Sequence, residues 1–454
     1  MATRKGRAAP RRRAPGKGWK ITDLLALHSG PVPVLFILNL LVLLAAGGVM
    51  LYSASYTTGI LKFGDALHYM KSYRWYLVIG GAAMAAGAVF NYHFLRNATM
   101  NVLIYLFTLA CLVLVYFCEP INECHRWLHY GNIPVTIQAS EIAKLAMVLV
   151  AAFFMDRYAA MVQARSPLPE AKTKLKGREK ARAKALCKKY RKQDWVDGIV
   201  RIAAPLLLVE ILVLPERHIS GGILIALIVA SMMLLGGAGG KRLRWLTAGG
   251  IVFLSIAVPL GLPYLMELSP TIADRVGDFL NKDGTLQHQT LQSLYAIGSG
   301  GLFGRGLGNS VEKQLYLPEC TNDYIFSVIC EELGLFGAVV IILLFITFLV
   351  QCFHIALNAS DRYGSYIAFG LTAQIAWQLV LNVAVVTNSV PATGVGLPFF
   401  SSGGSSLIIL MGQMGLMISI SRFGTQAELN RKKKQAGGPQ QAAVGSKTVR
   451  EQVQ

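Results

Sequence analysis

The chain has 454 residues, 54% of them hydrophobic and only 15% charged, which excludes an ordinary soluble domain. A formal charge of +20 raises nucleic acid as a partner, but the basic residues stand in short clusters between apolar blocks, so none is expected. The apolar residues form about ten blocks near bilayer-spanning length: 33–54, 75–94, 99–118, 140–155, 199–214, 219–238, 246–266, 324–352, 364–387 and 404–421.

In chain order, residues 1–30 make a basic tail containing "RKGRAAPRRR". Block 33–54 exceeds the roughly 7–15 apolar residues of a signal-peptide core, so it reads as a retained first span. Blocks 140–155 and 199–214 are short and carry polar residues. The basic loop 156–198 lies between them, with "KLKGREKARAKALCKKYRK"; "KRLR" follows the sixth block and "RKKK" the last. The positive-inside rule puts these clusters on the cytoplasmic side, and an even number of spans puts both termini there. The expected fold class is an all-α polytopic membrane domain over 31–424, with a large outer loop at 267–323 between helices seven and eight. Residues 425–454, rich in Lys, Gln, Gly and Ala, read as a disordered cytoplasmic tail.

The outer loops hold nearly all unusual polar and Gly/Pro-rich strings. "GSGGLFGRGLG" at 298–308 lacks the GK[ST] ending of a phosphate loop and reads as backbone allowing close approach. No HExxH, GxSxG or dinucleotide fingerprint occurs. The seven cysteines form no CxxC pair; Cys124 and Cys320 both face outward, but a disulfide between them is not required.

Four outer constellations remain. "RWLHYGNIPVTIQASEIAK" supplies Arg126, Gln138, Ser140, Glu141 and Lys144; Ser140 suits an N-cap, and Glu141 and Lys144 make an i,i+3 pair. A Lys144 facing the bundle is an intramembrane cation, costly unless used. "LPERHISGG" adds Glu216, Arg217 and His218. The 267–323 loop carries Arg275, Asp278, Gln289, Gln292, Glu319 and Asp323. "TNSVPATGVGLPFFSSGGSS", 387–406, includes Ser405 and too many Pro and Gly residues for a straight helix. Non-helical backbone at that depth persists only when buried in protein or lining a wet cavity.

Together, "RW…QASEIAK", "QTLQSLYAIGSGG", "GRGLGNSVEKQLYLPECTNDYIFSVICEELGLFG" and "TGVGLPFFSSGGSSL…ISR" resemble the SEDS (FtsW/RodA/SpoVE) family across roughly residues 30–424. The resemblance implies a ten-helix peptidoglycan glycosyltransferase. Such an enzyme polymerises lipid II on the outer face of the bacterial cytoplasmic membrane beside a class B penicillin-binding protein. The family's essential acid carries over onto Asp323, and its "QPSE..K" string onto Gln138, Ala139, Ser140, Glu141 and Lys144. The chain departs from the family pattern at Ala139, Tyr324 and Ser402.

That chemistry suits the residues. A pyrophosphate leaving group needs cations rather than a general acid, and Lys144, Arg126 and Arg275 are the candidates. A sugar hydroxyl attacking the anomeric carbon needs a base, and a partly buried carboxylate such as Asp323 fits, because burial raises a carboxylate's pKa toward working pH. Glu319 is expected to orient the loop or bind acceptor, and Glu331 and Glu332 to be structural. No ligand set demands a metal, although a divalent cation is compatible with the chemistry. Two alternatives stand: a lipid II flippase, since intramembrane Glu210 and Gln374 also mark transport paths, or a scaffold recruiting the transpeptidase.

Overall fold

The computed structural model describes residues 30–119, 126–128, 137–165, 200–213, 216, 219–235 and 288–451. The described helices are α1 (Val34–Phe63), α2 (His68–Val89), α3 (Ala98–Leu114), α4 (Ala139–Arg165) and α5 (Arg201–Val213). They continue with α6 (Ile219–Leu235), α7 (His288–Gly300), α8 (Ile325–Asn358), α9 (Arg362–Val386) and α10 (Gly404–Glu451). A two-residue ribbon, β1 (Trp127–Leu128) against β2 (Ile137–Gln138), is antiparallel, with Trp127 opposite Gln138.

Nine of the expected spans coincide with described helices; the block 246–266 lies outside the described residues. Among the described residues, five helices are long and apolar enough to cross a membrane: α1, α3 with its short extension to Phe117, α8, α9 and α10 as far as Ala427. Their outward faces stay apolar, as Leu35, Leu38 and Leu41 on α1 and Phe336, Leu343 and Val350 on α8 show. Surfaces of this kind need a hydrocarbon solvent. The protein is a polytopic membrane protein.

Three features differ from the expectations. Residues 288–300 of the outer loop form α7, which buries a stripe of small residues: Thr290, Ser293, Ala296 and Gly300. Ser293 Oγ hydrogen-bonds to Ser327 Oγ at 2.7 Å and donates to the Val386 carbonyl at 2.8 Å, tying α7 to α8 and α9. The last helix runs past the boundary expected at 424 to Glu451; "QAELNRKKKQA" at 426–436 is a stretch of good helix formers, whereas the propensity of the following Gly437, Gly438 and Pro439 does not explain its continuation. Helix α4 begins at Ala139, so Ser140 sits in its first turn rather than before it.

Helices close up where side chains are small. Gly87 of α2 lies against the Gly412 carbonyl of α10, and Gly415 against that of Met84, so these two helices run nearly backbone to backbone. One end of the bundle is ion-paired. Arg96 Nη2 stands 2.7 Å from Asp156, and Arg96 Nη1 is 3.6 Å from Asp361. Arg422 adds hydrogen bonds of 3.2 Å to the carbonyls of Gly30 and Ala88. The opposite end carries the irregular segments 64–67, 301–324 and 387–403 together with the ribbon.

Helix α8 breaks at Gly334, whose φ of 68° leaves the helical region. A break strands backbone groups that must find partners inside a membrane protein. Here the Gly-rich 301–306 segment supplies them. Arg305 and Gly306 N–H donate to the Glu331 and Glu332 carbonyls at 2.9 and 3.0 Å. The Gly301 and Leu302 carbonyls accept from Leu335 and Phe336 N–H at 2.9 and 3.1 Å. The close approach expected of "GSGGLFGRGLG" is this docking into a helix break.

Candidate active site

Asp323 ends the tight turn 319–324, just before α8. Glu319 starts it with φ of 55°, a left-handed conformation that costs about 1 kcal/mol or more in a non-glycine residue. The Glu319 carbonyl accepts from Asn322 N–H at 2.9 Å and from Tyr324 N–H at 3.4 Å, and its carboxylate accepts from Asn322 Nδ2 at 2.6 Å. Glu319 therefore shapes the turn while remaining exposed.

A second irregular segment, 391–403, is stitched onto this turn. Ser402 N–H donates to the Thr321 carbonyl at 3.0 Å, Ser401 Oγ donates to the Asn322 carbonyl at 2.7 Å, and Ser402 Oγ donates to Asn322 Oδ1. From α9, Asn382 Nδ2 donates to the carbonyls of Asp323 and Val395 at 2.7 and 2.8 Å. The Asp323 carboxylate faces Gly394, where an added Cβ would stand 3.5 Å from Oδ2. Gly394 has φ of 71°, so a side chain there would be strained as well as close.

Behind the turn stands a buried charge network. Glu331 and Glu332 have no exposed surface. Glu331 accepts from Ser310 Oγ and from Val311 N–H at 2.9 Å, with Arg305 Nη1 3.4 Å away. Lys313 Nζ bridges Glu332 Oε1 at 2.7 Å and Ser53 Oγ of α1 at 3.1 Å. Each buried carboxylate has a cation and hydrogen bonds, the condition for keeping charge in a low-dielectric interior. The two acids hold the 305–313 loop, as expected for structural residues.

The ribbon brings a second group of side chains to the same end. Ala139 N–H donates to the Arg126 carbonyl at 3.4 Å, and Gln138 N–H donates to Ser405 Oγ in the first turn of α10 at 3.3 Å. Lys144 Nζ pairs with Glu141 Oε1 at 2.6 Å, both side chains being buried. Arg126 Nε reaches the Glu216 carbonyl at 3.4 Å. Ser402 touches the Asp323 turn and Ser405 the ribbon; three residues of chain span at most about 11 Å. The two groups are neighbours.

The family model described as "Cell cycle protein", FtsW/RodA/SpoVE, matches residues 33–426. The chain belongs to this family. It is 31% identical over 416 residues to the probable peptidoglycan glycosyltransferase FtsW of Bacillus subtilis, covering 89% of this chain and 93% of that protein. The stage V sporulation protein E of the same organism is 32% identical, with coverages of 86% and 97%. Among solved structures, one described as "Structural coordination of polymerization and crosslinking by a peptidoglycan synthase complex" superposes with a TM-score of 0.63 at 20% identity, covering 87% of this chain and 99% of that one. The rod shape determining protein RodA of Thermus thermophilus gives 0.53 at 22% identity, covering 86% and 97%. These two share the fold.

Within this FtsW/RodA/SpoVE chain, the structure gathers Arg126, Glu141, Lys144, Ser405, Glu319 and Asp323 at one end. Gln289 and Gln292 lie half-buried on α7. Arg275, Asp278, Arg217, His218 and Cys124 lie outside the described residues. Cys320 is a buried free cysteine whose thiol donates to the Ala54 carbonyl at 3.7 Å. Among the described residues no group of three His, Cys, Asp or Glu converges as a metal site. Sequence reasoning passed over Asn382, Lys313, Arg305 and Ser53. The available signal was a set of polar residues inside otherwise apolar blocks, at 53 and 382.

Proposed function

We propose that this protein is a peptidoglycan glycosyltransferase of the bacterial cytoplasmic membrane that polymerises lipid II on the outer face. Asp323 takes the proton from the acceptor's sugar 4-hydroxyl as that oxygen attacks the donor's anomeric carbon, and undecaprenyl pyrophosphate leaves with inversion. The observation that carries this reading is the stitching of the Asp323 turn to the 391–403 segment and α9. It holds a half-buried carboxylate facing Gly394, whose left-handed backbone favours glycine. Fixed geometry of this kind is what proton abstraction rewards.

Cations serve the leaving group. Arg126, at the ribbon with its Nε on the Glu216 carbonyl, is the first candidate. Lys144 is neutralised in place by Glu141, so it acts on pyrophosphate only if substrate displaces that pair. A divalent ion bridging the pyrophosphate is compatible with this chemistry. A class B penicillin-binding protein is the proposed partner, receiving the glycan for crosslinking. The ion-paired end of the bundle favours a one-sided enzyme over a flippase, because Arg96, Asp156 and Asp361 clamp together the connection after α2, the second half of α4 and the residue before α9.

The test is reconstitution. Purified protein in liposomes with lipid II yields glycan polymer, and Asp323→Asn lowers the rate at least about a hundredfold with unfolding temperature unchanged. Polymerisation by a folded Asp323→Asn variant at more than about a tenth of the parental rate would sink the base assignment.

A further inference from the structure

We infer that Asn382 is the positioning residue for the Asp323 base, fixing the two irregular segments of the site against a rigid helix. This rests on the proposed role of Asp323. Asn382 has no exposed surface and sits on α9, a continuous helix capped at its other end by Asp361, whose carboxylate accepts from Gly364 N–H at 2.9 Å. Its single amide nitrogen donates at 2.7 Å to the carbonyl of Asp323 and at 2.8 Å to that of Val395, one residue after Gly394. The side chain thus sets the distance between the turn bearing the carboxylate and the segment it faces. Neither segment has a repeating backbone hydrogen-bond pattern to hold it; the Ser401 and Ser402 bonds join them to each other, whereas Asn382 joins both to a helix.

The chemistry of the contact is specific. Both acceptors are backbone carbonyls, which only accept, so the amide has one workable orientation. An Asp at this position has the same shape, but its ionised carboxylate sets oxygen against two carbonyl oxygens. When protonated, it donates to one of them and restores part of the clamp. Leu removes the donors altogether and leaves both carbonyls without this partner.

The experiment uses the full chain in liposomes with lipid II, assaying parent, Asn382→Asp, Asn382→Leu and Asp323→Asn at about pH 8 and about pH 5.5. At the higher pH, Asn382→Asp and Asn382→Leu lose about thirtyfold or more in kcat, with KM within about threefold of the parent. At the lower pH, the ratio of Asn382→Asp to parent rises at least about threefold, while that of Asn382→Leu stays flat. If Asn382→Leu fails to fold, the two-pH comparison on one preparation of Asn382→Asp decides. A pH-independent loss in Asn382→Asp, or kcat within about twofold of the parent in both variants while Asp323→Asn is inactive, overturns the positioning role and leaves the base standing. Activity in Asp323→Asn removes the base itself, and the positioning role with it.

Discussion

Glu216 has no exposed surface, and neither of its carboxylate oxygens finds a hydrogen bond among the described residues. Burial pushes its carboxyl from the ordinary 4.5 up to about 8, with the Arg126 guanidinium pulling weakly the other way. The group is thus neutral when folded and ionised when unfolded at neutral pH. The unfolded chain gains from ionising as pH rises above 4.5, and stability is lost progressively until the folded group also ionises near 8. Glu216→Gln, which cannot titrate, should unfold like the parent at about pH 4.5 and be the more stable variant by a few kcal/mol at about pH 8, measured by thermal unfolding in detergent. A pH-independent difference would mean the carboxyl is solvated. The residue also marks a limit of sequence reading. "PERHISGG" shows an acid in a turn, which is ordinarily surface; its burial under Arg126 follows from helices that converge only in three dimensions. Asp323 was legible through the family resemblance of its string, since a place beside an apolar run does not by itself separate it from Glu319, Glu331 and Glu332. Asn382 was not, since one Asn in an α-helical span has many bland explanations.

At the scale of elements, the break in α8 organises the outer end. Spans and their order follow from apolar block length, and the Gly-rich string announced close backbone approach. That its partner is the break at Gly334 was not legible, because the pairing joins backbone groups some thirty residues apart. Nor was the Lys313 bridge to Ser53, which spans 260 residues of chain. The bridge makes a stability prediction. Lys313→Met strands the Glu332 carboxylate in a fully buried site and should cost about 3–5 kcal/mol, read as a lower unfolding temperature. The double variant Lys313→Met with Glu332→Gln removes both charges and should recover more than half of that loss. If the double variant is no better than the single, the loss comes from packing around the lysine stem rather than from an unpaired charge. Glycan synthesis should fall in the single variant too, because the same loop leads into the Asp323 turn.

On the whole molecule, the two ends are built differently, and this asymmetry bears on direction of access. One end is closed by charge: Arg96 holds Asp156 and Asp361, and Tyr92 Oη donates to Asp361 Oδ1 at 2.9 Å. In the proposed topology, which rests on the positive-inside rule, that end faces the cytoplasm. The other end is made of turns and Gly/Pro-rich backbone, held by bonds to carbonyls rather than by helix-to-helix packing. Composition alone indicated which end carries the unusual residues; it could not show that the other end is clamped, since Arg96, Asp156 and Asp361 stand on three separate elements far apart in the chain. A transporter must open both ends in turn, whereas a polymerase fed from one leaflet needs only the outer one. Asp323→Cys therefore should react with a membrane-impermeant thiol reagent in right-side-out vesicles and resist it in inverted ones, the parent chain providing the background from its native cysteines. Adding Arg96→Ala loosens the inner clamp and should lower stability without opening position 323 to the inner side, because the buried Glu331 and Glu332 network and the packed middle of α9 still intervene. Equal labelling from both sides in Asp323→Cys would favour alternating access, and labelling from the inner side only would place the carboxylate on the wrong leaflet for the chemistry.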